Sequence, residues 1–204
     1  ENVFPFYVMD IMARAKALEE QGRNIVHMEV GEPDFATPKP ILKAAQRFID
    51  TGEVHYTKAQ GLPSLRKKIA EYYRDEYQVD LSPERIFITP GASGALTIAL
   101  ASLLDAGDEV LTCDPGYPCN NNIVTLFGGK PKPVVVESRD NFQMTGDSIA
   151  QAWTDATRGV MIASPSNPTG TMINDDQLKS IVQTVRNHEG FLISDEIYHG
   201  LVYG

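Results

Sequence analysis

From residue 85 onward the chain alternates short apolar runs with helix-length segments, and this alternation constrains the fold more than any other feature. The runs read as strands at 85–89, 109–113, 133–137, 159–163 and 191–194. Helices fill the intervals, one of them over 174–187, where Asn174 and Gln177 stand at capping-box spacing. Strands separated by helices predict βαβ crossovers and a mostly parallel sheet with flanking helices. The fold class is α/β.

The first part of the chain has a different texture. Val8, Ile11, Met12, Ala15 and Leu18 recur at helical spacing, and Gly22 supplies a stop. A short apolar stretch over 25–30 leads into a loop of turn formers, Gly31-Glu32-Pro33-Asp34-Phe35-Ala36-Thr37-Pro38. Two more helices are predicted, over 40–50 with Gly52 as the stop and over 63–77 with Pro63 in its first turn. Residues 1–50 read as a separate helical arm. Because the first residue is Glu1 rather than a methionine, we read the chain as starting inside a longer one.

Charge narrows the partners. Lysine and arginine number 18 against 27 acidic residues, a net charge of -9, the wrong sign for a surface that neutralises nucleic-acid phosphates. The one basic triplet, Arg66-Lys67-Lys68, lies on a predicted helix and reads as a solvated face. No apolar run reaches membrane-spanning length and no leader segment is evident. Cys113 and Cys119 are too few for a disulfide framework or a four-ligand zinc site, and are read as reduced thiols of a cytoplasmic protein. Nucleic acid, membrane and metal are set aside.

Ligands of open α/β sheets bind outside the carboxyl ends of the strands, and there the polar residues gather. The first strand runs into Thr89-Pro90-Gly91-Ala92-Ser93-Gly94-Ala95 and the second into Asp114-Pro115-Gly116-Tyr117-Pro118. The fourth ends in Ser164-Pro165-Ser166-Asn167-Pro168-Thr169-Gly170 and the fifth in Asp195-Glu196-Ile197-Tyr198. In a parallel sheet all these loops share one edge.

Each loop also has a plain structural reading. Gly91 to Gly94 enters a helix that begins near Ser93, suited to an anion at its N-terminus or, equally, to a tight turn with Ser93 as the N-cap. Tyr117 offers an aromatic face to a planar ligand, or is a half-buried ring in a stiff turn. The Asn167 amide serves a ligand oxygen or an Asx-turn, and its bond to Pro168 is a candidate cis peptide. Asp195, closing an apolar strand, needs a cationic or hydrogen-bonding partner, supplied by a ligand or by an internal ion pair.

A single ligand that used all four loops would carry an anion, a flat ring, a ring oxygen and a ring cation. A phosphorylated hydroxypyridine such as pyridoxal 5′-phosphate fits, because its electron-sink chemistry needs a protonated ring nitrogen held by an acid. A nicotinamide dinucleotide is the competing ligand, with Asp114 as the ribose-binding acid. It leaves Asn167, Tyr198 and Asp195 without roles.

At these residues the sequence resembles the class I/II pyridoxal-phosphate aminotransferases of fold type I. The match takes in Gly31-Glu32-Pro33-Asp34-Phe35, Tyr56-Thr57 with Gly61 and Leu65-Arg66, and the four loops above, in family order over nearly the whole chain. The resemblance implies an incomplete large domain over 51–204, with 1–50 as the N-terminal arm and a small-domain segment. It implies that Ala92 and Ser93 hold the cofactor phosphate, that Tyr117 stacks on the ring, and that Asn167 and Tyr198 bond the ring hydroxyl oxygen. Asp195 would pair with the ring nitrogen, and Asp195 and Tyr198 would be the catalytic residues present. Gly31 and Asn167 would lie beside the substrate. Tyr56 would reach the phosphate in the neighbouring subunit, which implies a homodimer with shared sites.

The activity implied is transfer of an amino group between an amino acid and a 2-oxo acid, in amino-acid metabolism. The family's cofactor-bearing lysine lies beyond the Asp-Glu-Ile-Tyr strand, whereas here the last lysine is Lys179. The 204 residues alone are therefore expected to be inactive. A fold-type-I lyase or synthase acting on an amino acid, and a non-catalytic relative, stay open. The family's sheet order further implies that 85–89 does not pair with 159–163, while the other four strands pair in parallel.

Overall fold

The computed structural model describes residues 3, 5–31, 33, 35–53 and 55–203. By internal packing these form two compact units, one over Phe6–Ile88 and one built on Thr89–Gly204. The division at residue 50 concerns membership of family domains and remains a proposal.

The second unit holds the sheet. Strands β1 (Glu109–Asp114), β2 (Lys130–Val135), β3 (Thr157–Ala163) and β4 (Phe191–Asp195) lie in the order β2-β1-β3-β4, every pair parallel. Successive side chains of a strand point to opposite faces, and the apolar residues divide accordingly. Leu111, Val160 and Ile162 pack on one face with Ile149 of α6 (Gly146–Ala152) and Ile181 and Val185 of α7 (Asp175–Asn187). Val110 and Met161 pack on the other with Leu96 and Leu100 of α4 (Gly91–Leu103) and Val124 of α5 (Pro118–Leu126). Burial on both faces explains why the inner strands read as unbroken apolar runs.

Two of the strand expectations need correction. The strand expected at 133–137 is β2, three residues earlier, and it includes Pro131 and Pro133. The N–H groups of Lys130 and of Val136, just past its end, donate to the Asp108 and Asp114 carbonyls, at 2.7 and 2.9 Å. By strand alternation the nitrogens of Pro131 and Pro133 face the open edge, where a missing N–H costs no ladder bond. The strand expected at 85–89 does not join the sheet. A 3-10 turn, Pro83–Arg85, precedes an extended run in which Ile88 N–H donates to Gln60 O at 2.9 Å. As implied by the family's sheet order, 85–89 makes no ladder with β3.

The first unit contains α1 (Tyr7–Glu20), α2 (Lys39–Thr51) and α3 (Pro63–Tyr77). Gly52 caps α2 in the left-handed conformation, at φ 66°, as its place in the sequence suggests. Arg66 departs from expectation. It is 3% exposed, and its Nε and Nη2 both donate to Pro83 O, at 2.9 and 2.7 Å, while Nη2 pairs with Glu84 at 2.9 Å. Only Lys67 and Lys68 of the basic triplet form a solvated face. Among the described residues no helix is long and apolar enough to cross a membrane.

Candidate active site

Three sheet strands and the start of α4 deliver their polar loops to one place. Helix α4 begins at Gly91, two residues ahead of the position expected, so Ser93 lies within the first turn and is not its cap. The N-cap position is Pro90, which has no side chain able to accept a bond. The first-turn N–H groups of a helix have no intrahelical acceptors and favour an anion. Gly94 sits tightly behind them: a Cβ there would stand 3.1 Å from Pro90 Cδ and 3.3 Å from Thr89 Cβ.

After β1, a cis Asp114–Pro115 bond turns the chain and half-buried Tyr117 takes the N-cap position of α5. A hydrogen bond with the Cys119 thiol, with burial and the nearby Asp195 and Tyr198, pushes the Tyr117 phenol up to about 12. The ring is therefore neutral at physiological pH. Burial also pushes the Cys113 thiol up, which keeps it protonated and poorly reactive.

The loop after β3 contains cis bonds at Ser164–Pro165 and Asn167–Pro168. It is closed by Gly170 N–H donating to Ser166 O at 2.8 Å and Ser166 N–H donating to Thr171 O at 2.9 Å. Asn167 is half-buried at its turn. At the end of β4 the Asp195 Oδ1 accepts the Ile197 N–H at 3.1 Å, which orients the carboxylate, and Tyr198 follows one turn on.

Ala92, Ser93, Tyr117, Asn167, Asp195 and Tyr198 together line a cavity of about 280 Å³. Pro90, Leu96, Ala163, Pro165 and Ile197 supply its apolar walls. Lining of this kind, mostly apolar with a few convergent polar groups, is that of a small-molecule site. Its lining combines helix N–H groups and the Ser93 hydroxyl with the Asp195 carboxylate. Asp114 is exposed and is not among the lining residues, which removes the acid on which the dinucleotide reading rested.

Gly31 and Tyr56 belong to the other unit, and Tyr56 is fully exposed. Glu32 and Asp34 of the Gly31 loop lie outside the described residues. Sequence reasoning missed Cys119 as the partner of the Tyr117 hydroxyl. It also missed Gln143, a buried side chain in the loop before α6 that bonds the Asn167 loop. Neither carries a motif that would have singled it out.

A parallel α/β sheet with a polar cavity at its carboxyl edge defines a broad class, and comparison with known proteins narrows it. Residues 23–204 match the family model for aminotransferase class I and II, and the chain belongs to that family. Its enzymes depend on pyridoxal 5′-phosphate. The chain is 43% identical over 202 residues to a (5-formylfuran-3-yl)methyl phosphate transaminase from Methanocaldococcus jannaschii, which covers 99% of the chain and 51% of that protein. It is 36% identical to a valine–pyruvate aminotransferase from Mycobacterium tuberculosis, covering 99% of the chain and 52% of that protein. The crystal structure of an aminotransferase from M. tuberculosis superposes with a TM-score of 0.94 at 36% identity, over 99% of the chain and 52% of that one. The chain thus spans about half the length of the relatives it matches, consistent with a partial large domain.

Proposed function

We propose that the protein carrying this chain is a pyridoxal-phosphate-dependent aminotransferase that moves an amino group between an amino acid and a 2-oxo acid. The observation that carries this is the meeting of Ala92, Ser93, Tyr117, Asn167, Asp195 and Tyr198 around one cavity. The donor set suits the cofactor. The first-turn N–H groups of α4 and the Ser93 hydroxyl bind the phosphate, and the neutral Tyr117 ring covers the pyridine face. Asn167 and Tyr198 donate to the ring oxygen, and the Asp195 carboxylate holds a proton on the ring nitrogen. So held, the cofactor supplies an electron sink for the substrate α-carbon.

Gly31 and Asn167 are assigned to the substrate, and Tyr56 to the phosphate of the second subunit in a homodimer. The ring contacts alone leave a lyase or synthase open. Group transfer is favoured because the relatives named above are a transaminase and aminotransferases. No lysine follows Asp195 in these residues, so they supply the non-covalent part of the cofactor site and are assigned no turnover of their own. A cytoplasmic setting accords with free Cys113 and Cys119, and a place in amino-acid metabolism follows from the proposed reaction.

Asp195→Asn in the intact enzyme tests the assignment. Without the carboxylate the ring nitrogen loses its charge, and steady-state transamination should fall on the order of 10²-fold or more with the fold preserved by circular dichroism. A variant within about threefold of the unsubstituted rate contradicts the role of Asp195, since loss of so central an electrostatic contact costs far more.

A further inference from the structure

Gln143 lies in the loop between the 3-10 turn Ser138–Asp140 and α6, and its side chain is 1% exposed. Its Nε2 donates to Ala163 O at 3.1 Å and to Thr171 O at 3.0 Å, with Thr171 Oγ1 at 3.2 Å. These carbonyls flank the Asn167 turn, one on the last residue of β3 and one just beyond Gly170. Ser164 N–H faces β4, donating to Asp195 O at 3.1 Å, so the Ala163 carbonyl faces the β1 side. The β1–β3 pairing ends at Leu111 and Val160, which leaves that carbonyl beyond the ladder. One side-chain amide closes both ends of the loop.

Two features show that this placement serves the loop. Among the described residues no donor meets the buried Gln143 Oε1, and turning the amide over would aim that oxygen at two carbonyls. The amide orientation is thus set by its two loop carbonyls. The two residues before it, Asn141 and Phe142, hold φ of 53° and 50°; Asn accepts this left-handed region readily as the cap of the 3-10 turn, but a bulky Phe142 keeps it only where surrounding contacts hold it there. Asn141 Nδ2 reinforces the attachment by donating to Met172 O at 3.1 Å.

We propose that Gln143 is a positioning residue for Asn167. By fixing Ala163 and Thr171 it holds the turn so that the Asn167 amide donates to the ring oxygen of the cofactor. This rests on the assignment of Asn167 made above. Gln143→Met keeps the length of the side chain and removes its donors. In the cofactor-free intact protein, exchange of the amides of residues 164–171 should rise about tenfold, on the scale of one lost buried hydrogen bond, while β1–β2 amides keep their rates.

With pyridoxal phosphate bound, the pH titration of its visible absorbance should move upward, because a weaker donor stabilises the charged ring oxygen less. In steady state kcat should fall about tenfold with KM within about twofold. Should Gln143→Met not fold, Gln143→Glu is the second variant. Its buried carboxyl stays protonated and restores one donor, so part of the function returns and is lost as pH rises. Unchanged exchange in 164–171 overturns the proposal, and so does faster exchange with an unmoved titration. If the unsubstituted protein binds no pyridoxal phosphate, the cofactor reading fails and the positioning role with it, the exchange result then marking a purely structural clamp.

Discussion

The two compact units of this chain use similar sequence material to opposite effect. In the sheet unit, apolar residues at alternating and helical spacing meet in two cores, and residues such as Leu111, Val160 and Ile181 are wholly buried. In the helical unit α2 has an equally clear apolar stripe, yet Ile41, Leu42, Phe48 and Ile49 are all more than half exposed. Among the described residues of that unit, Ile86 and Arg66 are the buried ones. An amphipathic pattern declares a face but does not supply the surface that covers it. The same contrast separates the functional residues. Those of the sheet unit converge locally at strand ends and the start of α4, whereas Gly31 and Tyr56 are exposed residues of the other unit.

This contrast can be broken most directly by truncating one residue in each unit. Leu111→Ala, in the core between the sheet and α6 and α7, should cost about 2–5 kcal/mol in denaturant unfolding. Ile49→Ala on the open face of α2 should stay within about 0.5 kcal/mol. A loss at Ile49 comparable to that at Leu111 would show that the face is covered in the intact protein.

A smaller effect belongs to Arg66, which gives the helical unit a buried polar tie. Arg66→Met should cost about 2 kcal/mol, because Pro83 O loses two donors from a charged group. Lys67→Ala and Lys68→Ala should each change stability by less than about 0.5 kcal/mol. Equal effects at the three positions would return Arg66 to the solvated face first expected of it.

The smallest effect is at the end of α1. His27 Nε2 lies 3.0 Å from Glu19 and its Nδ1 lies 2.7 Å from Glu29. Carboxylates only accept, so both contacts need the doubly protonated ring. Hydrogen bonding to Glu29, then to Glu19, accordingly holds the His27 pKa above 6.5. A raised folded pKa gives stability that is complete below about pH 6.5 and lost as the pH climbs through the folded value. Titration of the His27 ring by NMR should give a midpoint above 6.5, and His27→Gln should remove that segment of the pH–stability curve. A midpoint at or below 6.5 means the two contacts do not persist in solution.

How far the sequence could be read follows the same divide. Four strands, the Gly52 stop and the Asn174 cap on α7 are set by residues near in sequence. The Asn174 Oδ1 does accept the Gln177 N–H, at 2.8 Å. The reciprocal half of the capping box is absent because Gln177 turns away to donate to Met144 O at 2.9 Å. A tertiary contact took the Gln177 side chain away from the Asn174 N–H, the local donor it would have accepted from. The 85–89 run looked like a strand by composition, but a strand is defined by its partner. Pro131 and Pro133 hid the true start of β2, placed three residues too late at 133, since only the register shows that their nitrogens face outward. The residues lining the cavity were legible because strand-end loops carry them. Gln143 was not, because its role depends on two carbonyls 20 and 28 residues away.

The most direct test is a crystal structure of the intact protein with pyridoxal 5′-phosphate bound. The phosphate should lie within hydrogen-bond distance of the Ala92 and Ser93 N–H groups, with the ring beneath Tyr117, its oxygen at Asn167 and Tyr198 and its nitrogen at Asp195. A cofactor held elsewhere, or bound in this cavity with its ring nitrogen turned away from Asp195, would contradict the assignment.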